Sequence, residues 1–130
     1  MITETDIFRS EGCIRRYRER RKVLGASIND TDLTKLPLVK EWELWVLVKN
    51  EFPYDKIAED HCMLVPKRKF CDDMEMIEEE RWELWDIKKE FSKDRLFDLM
   101  CESMQHDKSV TGVFHLHCLR LKYRTPIPEL

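Results

Sequence analysis

The spacing of apolar residues changes along this chain, and the change constrains its fold more than any other feature of the sequence. In the stretch WELWVLVK, residues 42–49, one predicted strand face carries every second residue: Trp42, Leu44, Val46 and Val48. Alternation returns in VFHLHCLRLKY, residues 113–123. Between these stretches, over residues 72–92, apolar residues recur at spacings of three, seven, three and four, as on one face of an amphipathic helix. The sequence therefore predicts an α+β fold.

The predicted architecture is a meander of antiparallel strands with one amphipathic helix packed on it. HCMLV, residues 61–65, supplies a further short strand, and a second helix is predicted over residues 94–104. RRYRERRK, residues 15–22, predicts an N-terminal helical extension with six basic residues and one acid. We interpret it as a solvated helix, with a patch for phosphates or RNA as the alternative. No specific nucleic-acid binding is predicted.

The 130 residues are expected to form a single domain. Residues 1–40 are the extension and linker, residues 41–121 the core and residues 122–130 the tail. No apolar stretch approaches the roughly 20 residues of a membrane span, and no signal peptide is indicated. Five cysteines, an odd number without a C-x-x-C pair, favour reduced thiols. These features predict a cytoplasmic protein.

One pair of residues stands out chemically, because the common phosphate-loop, dinucleotide, hydrolase and zincin motifs are absent. His115 and His117 share one face of the last strand, about 7 Å apart along it. A neutral imidazole can act as nucleophile or ligand near pH 7 while its neighbour orients or protonates. Alternation points Cys118 to the opposite face. The alternative is a pair of half-exposed strand histidines without chemistry.

The order of motifs around this pair resembles the histidine triad family of nucleotide hydrolases and transferases over residues 41–121. The matching parts follow one another as a strand ending in Asn50, a turn with Pro53, a strand led by His61 and running into Pro66-Lys67-Arg68, an amphipathic helix, and the strand of His115 and His117. The resemblance implies an α+β fold and a purine nucleotide or dinucleoside polyphosphate as ligand. It implies no cofactor and no metal.

The family mechanism implies roles for several side chains. The middle histidine of the family motif attacks the α-phosphorus and forms a nucleotidyl-histidine, which matches His117, with His115 as its orienting neighbour. Asn50 would face the nucleotide, and His61 matches a family position near the start of a strand, where it could bind the nucleotide or only pack.

The sequence departs from the family at two places. Leu119 replaces the third histidine, so one phosphate contact is missing. The polar residues before the first histidine are shifted, and Ser109 and Thr111 are the candidates to reach the phosphate.

Two further hypotheses stay open beside the nucleotide hydrolase or transferase. One is a protein that binds a nucleotide or a protein partner and has lost turnover with the third histidine. The other is a metal-binding module of His61, His115 and His117. Members of the family commonly form dimers, so a homodimer is expected, with Trp82 and Trp85 at its interface. The acidic run of residues 78–80 is expected to be a solvated helix face.

Overall fold

A five-stranded antiparallel sheet forms the centre of the computed structural model, which describes residues 7–24, 32–102 and 113–122. In chain order the main elements are α1 (Glu11–Leu24), β1 (Leu38–Glu41), β2 (Trp45–Lys49), β3 (Ala58–Pro66), α2 (Glu78–Asp94), β4 (Leu99–Cys101) and β5 (Leu116–Leu121). Short 3-10 helices cover Leu33–Lys35 and Asp73–Glu75. The α+β fold, the packed helix and the N-terminal helix are therefore confirmed.

The sheet order is β1-β2-β3-β5-β4, with all neighbours antiparallel. The predicted meander holds through β3. The chain then crosses through α2 to the far edge strand β4, and β5 returns between β3 and β4. This order places the strand with His117 directly beside the strand with His61.

The predicted strand over residues 42–49 begins too early. The Trp42 N–H donates to the Trp45 carbonyl at 2.9 Å, so the chain turns there and β1 pairs with β2 as a hairpin. Trp42 and Leu44 pack with the helix-covered cluster, whereas Val46 and Val48 lie in the other cluster. The alternation breaks at this turn, so these four residues do not share a face.

The predicted helix over residues 72–92 is two elements. Asp72 caps the 3-10 helix Asp73–Glu75, whose Met74 is exposed, and the chain becomes extended before α2 begins at Glu78. The buried face of α2 includes Ile87 and Phe91, which pack on the sheet. The helix ends where Arg95 adopts the left-handed conformation, with a φ of 51°.

The acidic run at the start of α2 is only partly a solvated face. Glu80 is 1% exposed, and its carboxylate accepts hydrogen bonds from Arg68 Nη2 at 2.8 Å and from the Ile77 N–H at 2.9 Å. It therefore satisfies a donor at the helix start and anchors α2 to the end of β3. Glu78 and Glu79 are exposed as predicted.

The helix predicted over residues 94–104 is wrong in its described part, because Leu99–Cys101 forms the edge strand β4. Arg95 turns the chain back toward the sheet, and the Asp98 N–H donates to the Leu119 carbonyl at 2.8 Å. Asp98 also accepts a hydrogen bond from the Leu121 N–H at 2.8 Å through its carboxylate. These bonds align β4 with β5.

The N-terminal segment docks on the connection between β2 and β3. The Ser10 N–H and hydroxyl both donate to the Asp55 carboxylate at 2.6 Å, and the Cys13 thiol donates to the Pro53 carbonyl at 3.4 Å. The N-terminal helix is thus held against the sheet beside the end of β2. Among the described helices, none has the length and apolar character to cross a membrane.

Candidate functional site at a histidine cluster

Three histidines meet on the sheet face that α2 does not cover. Register places His61 of β3 opposite Leu119 of β5, and Met63 of β3 opposite His117, so these four side chains share a face. The opposite face carries Cys62 and Cys118, which lie in the cluster under α2, as alternation predicted for Cys118.

The imidazoles are in direct contact. His61 Nε2 lies 2.9 Å from His117 Nδ1, and the rings of His115 and His117 meet edge to face with centroids 5.0 Å apart. The Asn50 amide nitrogen lies 3.2 Å from His61 Nε2. The structure therefore brings together four of the six residues singled out from the sequence. Ser109 and Thr111 lie outside the described residues.

Backbone partners assign the protons of this cluster. The Tyr54 N–H donates to His61 Nδ1 at 2.9 Å, so a neutral His61 carries its proton on Nε2 and donates it to His117 Nδ1. A neutral His117 then carries its own proton on Nε2. His115 Nδ1 donates to the Val113 carbonyl at 2.9 Å, which leaves the lone pair of a neutral His115 on Nε2.

Asn50 is oriented by the backbone of the turn that follows β2. Its side-chain oxygen accepts a hydrogen bond from the Phe52 N–H at 2.7 Å, which turns the NH₂ group toward the His61–His117 pair. Because His61 Nε2 carries the proton that it donates to His117, the Asn50 NH₂ group does not hydrogen-bond to that nitrogen, and its N–H donors lie at the edge of the histidine cluster.

The cluster is buried: His61 is 2% exposed, and His115 and His117 are 5% exposed. The Tyr54 ring covers two of the imidazoles, at centroid distances of 4.3 Å from His61 and 5.2 Å from His117. Burial lowers the pKa of His61 to about 3, and the charge of Arg9 acts in the same direction. His61 is therefore neutral near pH 7.

Leu119, which stands where the histidine triad motif has its third histidine, packs among apolar side chains. Leu119 is buried and contacts Tyr54 and Ala58. Within residues 7–24, 32–102 and 113–122, no set of three or more His, Cys, Asp or Glu side chains is arranged to hold a metal ion. Two of the three histidines direct ring nitrogens at each other instead, so the metal-module hypothesis has no support in this part of the chain.

Sequence reasoning missed two side chains at the cluster. Tyr54 follows the turn proline and packs directly on the imidazoles. Arg9 belongs to the docked N-terminal segment, and its guanidinium lies over the Tyr54 ring. No periodic pattern indicates Arg9, because its place depends on how the segment before α1 docks.

The comparisons with known proteins bear on the fold. No known protein family profile matches the chain, and no curated protein matches its sequence. Among solved structures, the chain is similar to a histidine triad protein from Clostridium difficile, with a TM-score of 0.51 and 16% sequence identity. The similarity covers 79% of this chain and 92% of the other. The chain therefore has the fold of a histidine triad protein, as the order of its motifs predicted.

Proposed function

We propose that the chain binds a nucleotide at its histidine cluster and hydrolyses or transfers it through a nucleotidyl-histidine on His117. The observation that carries this proposal is the contact of His61, His115 and His117 on one sheet face beside Asn50. The shared fold with a histidine triad protein supports it. The proposed ligands are a purine nucleotide or a dinucleoside polyphosphate.

The proposed reaction has two displacements at phosphorus. A ring nitrogen of His117 forms a bond to the α-phosphorus while the bond to the leaving group breaks, and the leaving group keeps the electron pair and takes a proton from water. Water, or another acceptor, then attacks the same phosphorus and releases His117. His115 would orient the nucleophile, and Asn50 would donate to the nucleotide. Ser109 and Thr111 stay candidates for the phosphate.

A second candidate, a nucleotide- or protein-binding protein without turnover, is favoured by two observations. Leu119 supplies an apolar side chain where a third imidazole would contact phosphate. In addition, the lone pair of a neutral His117 lies on Nδ1, which His61 already engages at 2.9 Å. Attack through Nε2 therefore requires the proton of His117 to move first.

A homodimer in the cytoplasm completes the proposal. Trp82 and Trp85 are each 58% exposed and stack with centroids 5.9 Å apart on α2, which makes an apolar patch suited to a subunit contact.

All five cysteines are free, which fits a reducing compartment. We also propose that the chain is one domain, because its N-terminal segment bonds to the sheet connection at Asp55.

The test measures release of nucleoside monophosphate from a nucleoside phosphoramidate and from a dinucleoside polyphosphate. We expect turnover by the wild type, none by His117→Ala, and a reduced rate for His115→Ala, since loss of an orienting group costs alignment only. Leu119→His is the complementary variant and should raise the rate. Binding of nucleotide without turnover in both the wild type and Leu119→His would select the second candidate.

A further inference from the structure

Arg9 is a buried cation contributed by the segment before α1, outside the region that resembles the histidine triad family. It is 3% exposed, and its Nε donates to the Phe52 carbonyl at 2.9 Å. The neighbouring Ser10 and Cys13 bind the same connection between β2 and β3. The guanidinium is therefore held in place on the turn that leads to the histidine cluster.

Two tyrosines enclose the guanidinium. Its central carbon lies 5.0 Å from the centroid of the Tyr17 ring and 4.9 Å from that of Tyr54. The Tyr54 ring also contacts His61 and His117. One aromatic ring thus lies against both the cation and the imidazoles, and the charge acts through a buried region in which screening by water is weak.

The Tyr17 hydroxyl is a second polar group at this place. Its oxygen is buried and has no hydrogen-bond partner among the residues that the structure describes. The Tyr17 ring packs edge to face on Phe52 at 5.3 Å, so α1 presents this side chain to the same turn. The N-terminal segment therefore brings both a charge and a hydroxyl to the turn that contains Phe52.

We propose that Arg9 is a positioning residue of the histidine site, which acts through Tyr54 to disfavour protonation of His61 and to favour an anionic, phosphate-bearing ligand. The second half of this proposal rests on the proposed nucleotide binding; the first half does not.

The groups that face His61 come from several elements. Arg9 and His115 each favour the neutral form of His61, whereas the carboxylate of Asp60 on β3 opposes them. Tyr54 and His117 contact the ring directly without a fixed charge when neutral. Removal of the Arg9 charge alone should therefore raise the pKa of His61, with burial still holding it below its ordinary value.

The test compares Arg9→Met and Arg9→Gln, which remove the charge, with Arg9→Lys, which keeps it. Arg9→Gln retains a donor for the Phe52 carbonyl and replaces the methionine variant if that variant does not fold. Arg20→Met is the matched control, because Arg20 lies on α1 but is exposed and paired with Glu51 at 3.3 Å. Nitrogen-15 NMR of the imidazoles follows the titration of His61, and calorimetry compares adenosine with AMP.

We expect His61 to take up its proton at a higher pH in the two neutral variants than in the wild type, Arg9→Lys and Arg20→Met. AMP affinity should fall on the order of tenfold in the neutral variants, because this is the effect of one charge at roughly 10 Å in a medium of effective dielectric constant about 20. Adenosine carries no charge, so its affinity should stay unchanged.

The two halves of the proposal fail separately. Identical titration of His61 in the wild type and in Arg9→Gln would overturn the positioning role. Equal loss of adenosine and AMP affinity would overturn the role of the charge in ligand choice and indicate a general structural defect. If the wild type binds no AMP but His61 responds to Arg9→Gln, the proposed function fails and the positioning role is supported.

Discussion

Replacing His61 by glutamine is expected to remove part of the pH dependence of the protein's stability. The His61 ring is 2% exposed, and burial lowers its pKa to about 3, from an ordinary value of 6.5. In the unfolded chain the imidazole takes up a proton below pH 6.5, whereas in the folded chain it does not. The unfolded state therefore binds more protons in this range, and stability falls as the pH falls.

The magnitude follows from the two pKa values. Each pH unit between them costs about 1.4 kcal/mol once the unfolded chain is fully protonated, so about 2 kcal/mol is lost between pH 7 and pH 5. Glutamine at position 61 keeps an acceptor for the Tyr54 N–H and a donor for His117 but does not titrate.

The assay is urea unfolding of the wild type and His61→Gln at pH 7, 6 and 5, read by tryptophan fluorescence. The variant should start from a lower stability and lose about 2 kcal/mol less than the wild type over this range. Because both proteins share every other titratable group, their difference isolates position 61. Equal losses in the two proteins would refute the assignment of His61 as a buried neutral donor.

Two further predictions concern thiols and assembly. Burial raises the pKa of Cys62 to about 11 and that of Cys118 to about 12. At pH 8 a disulfide reagent should therefore modify exposed Cys71 quickly, and Cys62 and Cys118 only when the protein unfolds. Rapid labelling of all three thiols in the folded protein would contradict the burial of Cys62 and Cys118. Replacing Trp82 and Trp85 together by glutamine should convert the proposed dimer to a monomer in light scattering without loss of helix content, and a wild type that is monomeric at high micromolar concentration would refute the proposed interface.

The central strands and α2 were predictable because burial imposes a pattern on them. β2 is covered on both faces, and Ile87 and Phe91 must meet the sheet, so their spacing carries the signal. The edge strands were not predictable. All four residues of Leu38–Glu41 are exposed, and Leu99–Cys101 is three residues long. Such strands are held by backbone hydrogen bonds, which nearly any side chain permits, so no pattern identifies them.

The site likewise has a part that the sequence pattern predicts and a part that it does not. Strand alternation alone places His115 and His117 on one face, and their contact with His61 follows from the β3–β5 register, which only the resemblance indicated. The positions of Arg9 and Tyr54 depend on the docking of the segment before α1 and on the conformation of the turn. Neither leaves a periodic trace in the sequence.

The most direct test of the account is a titration of the protein with AMP, followed by the imidazole nitrogen resonances. If the histidine cluster is the nucleotide site, the resonances of His115 and His117 should move and saturate together at one dissociation constant, and His117→Ala should weaken AMP binding. Binding of AMP that leaves both resonances in place, or no binding of AMP at millimolar concentration, would contradict the assignment of this cluster as a nucleotide site.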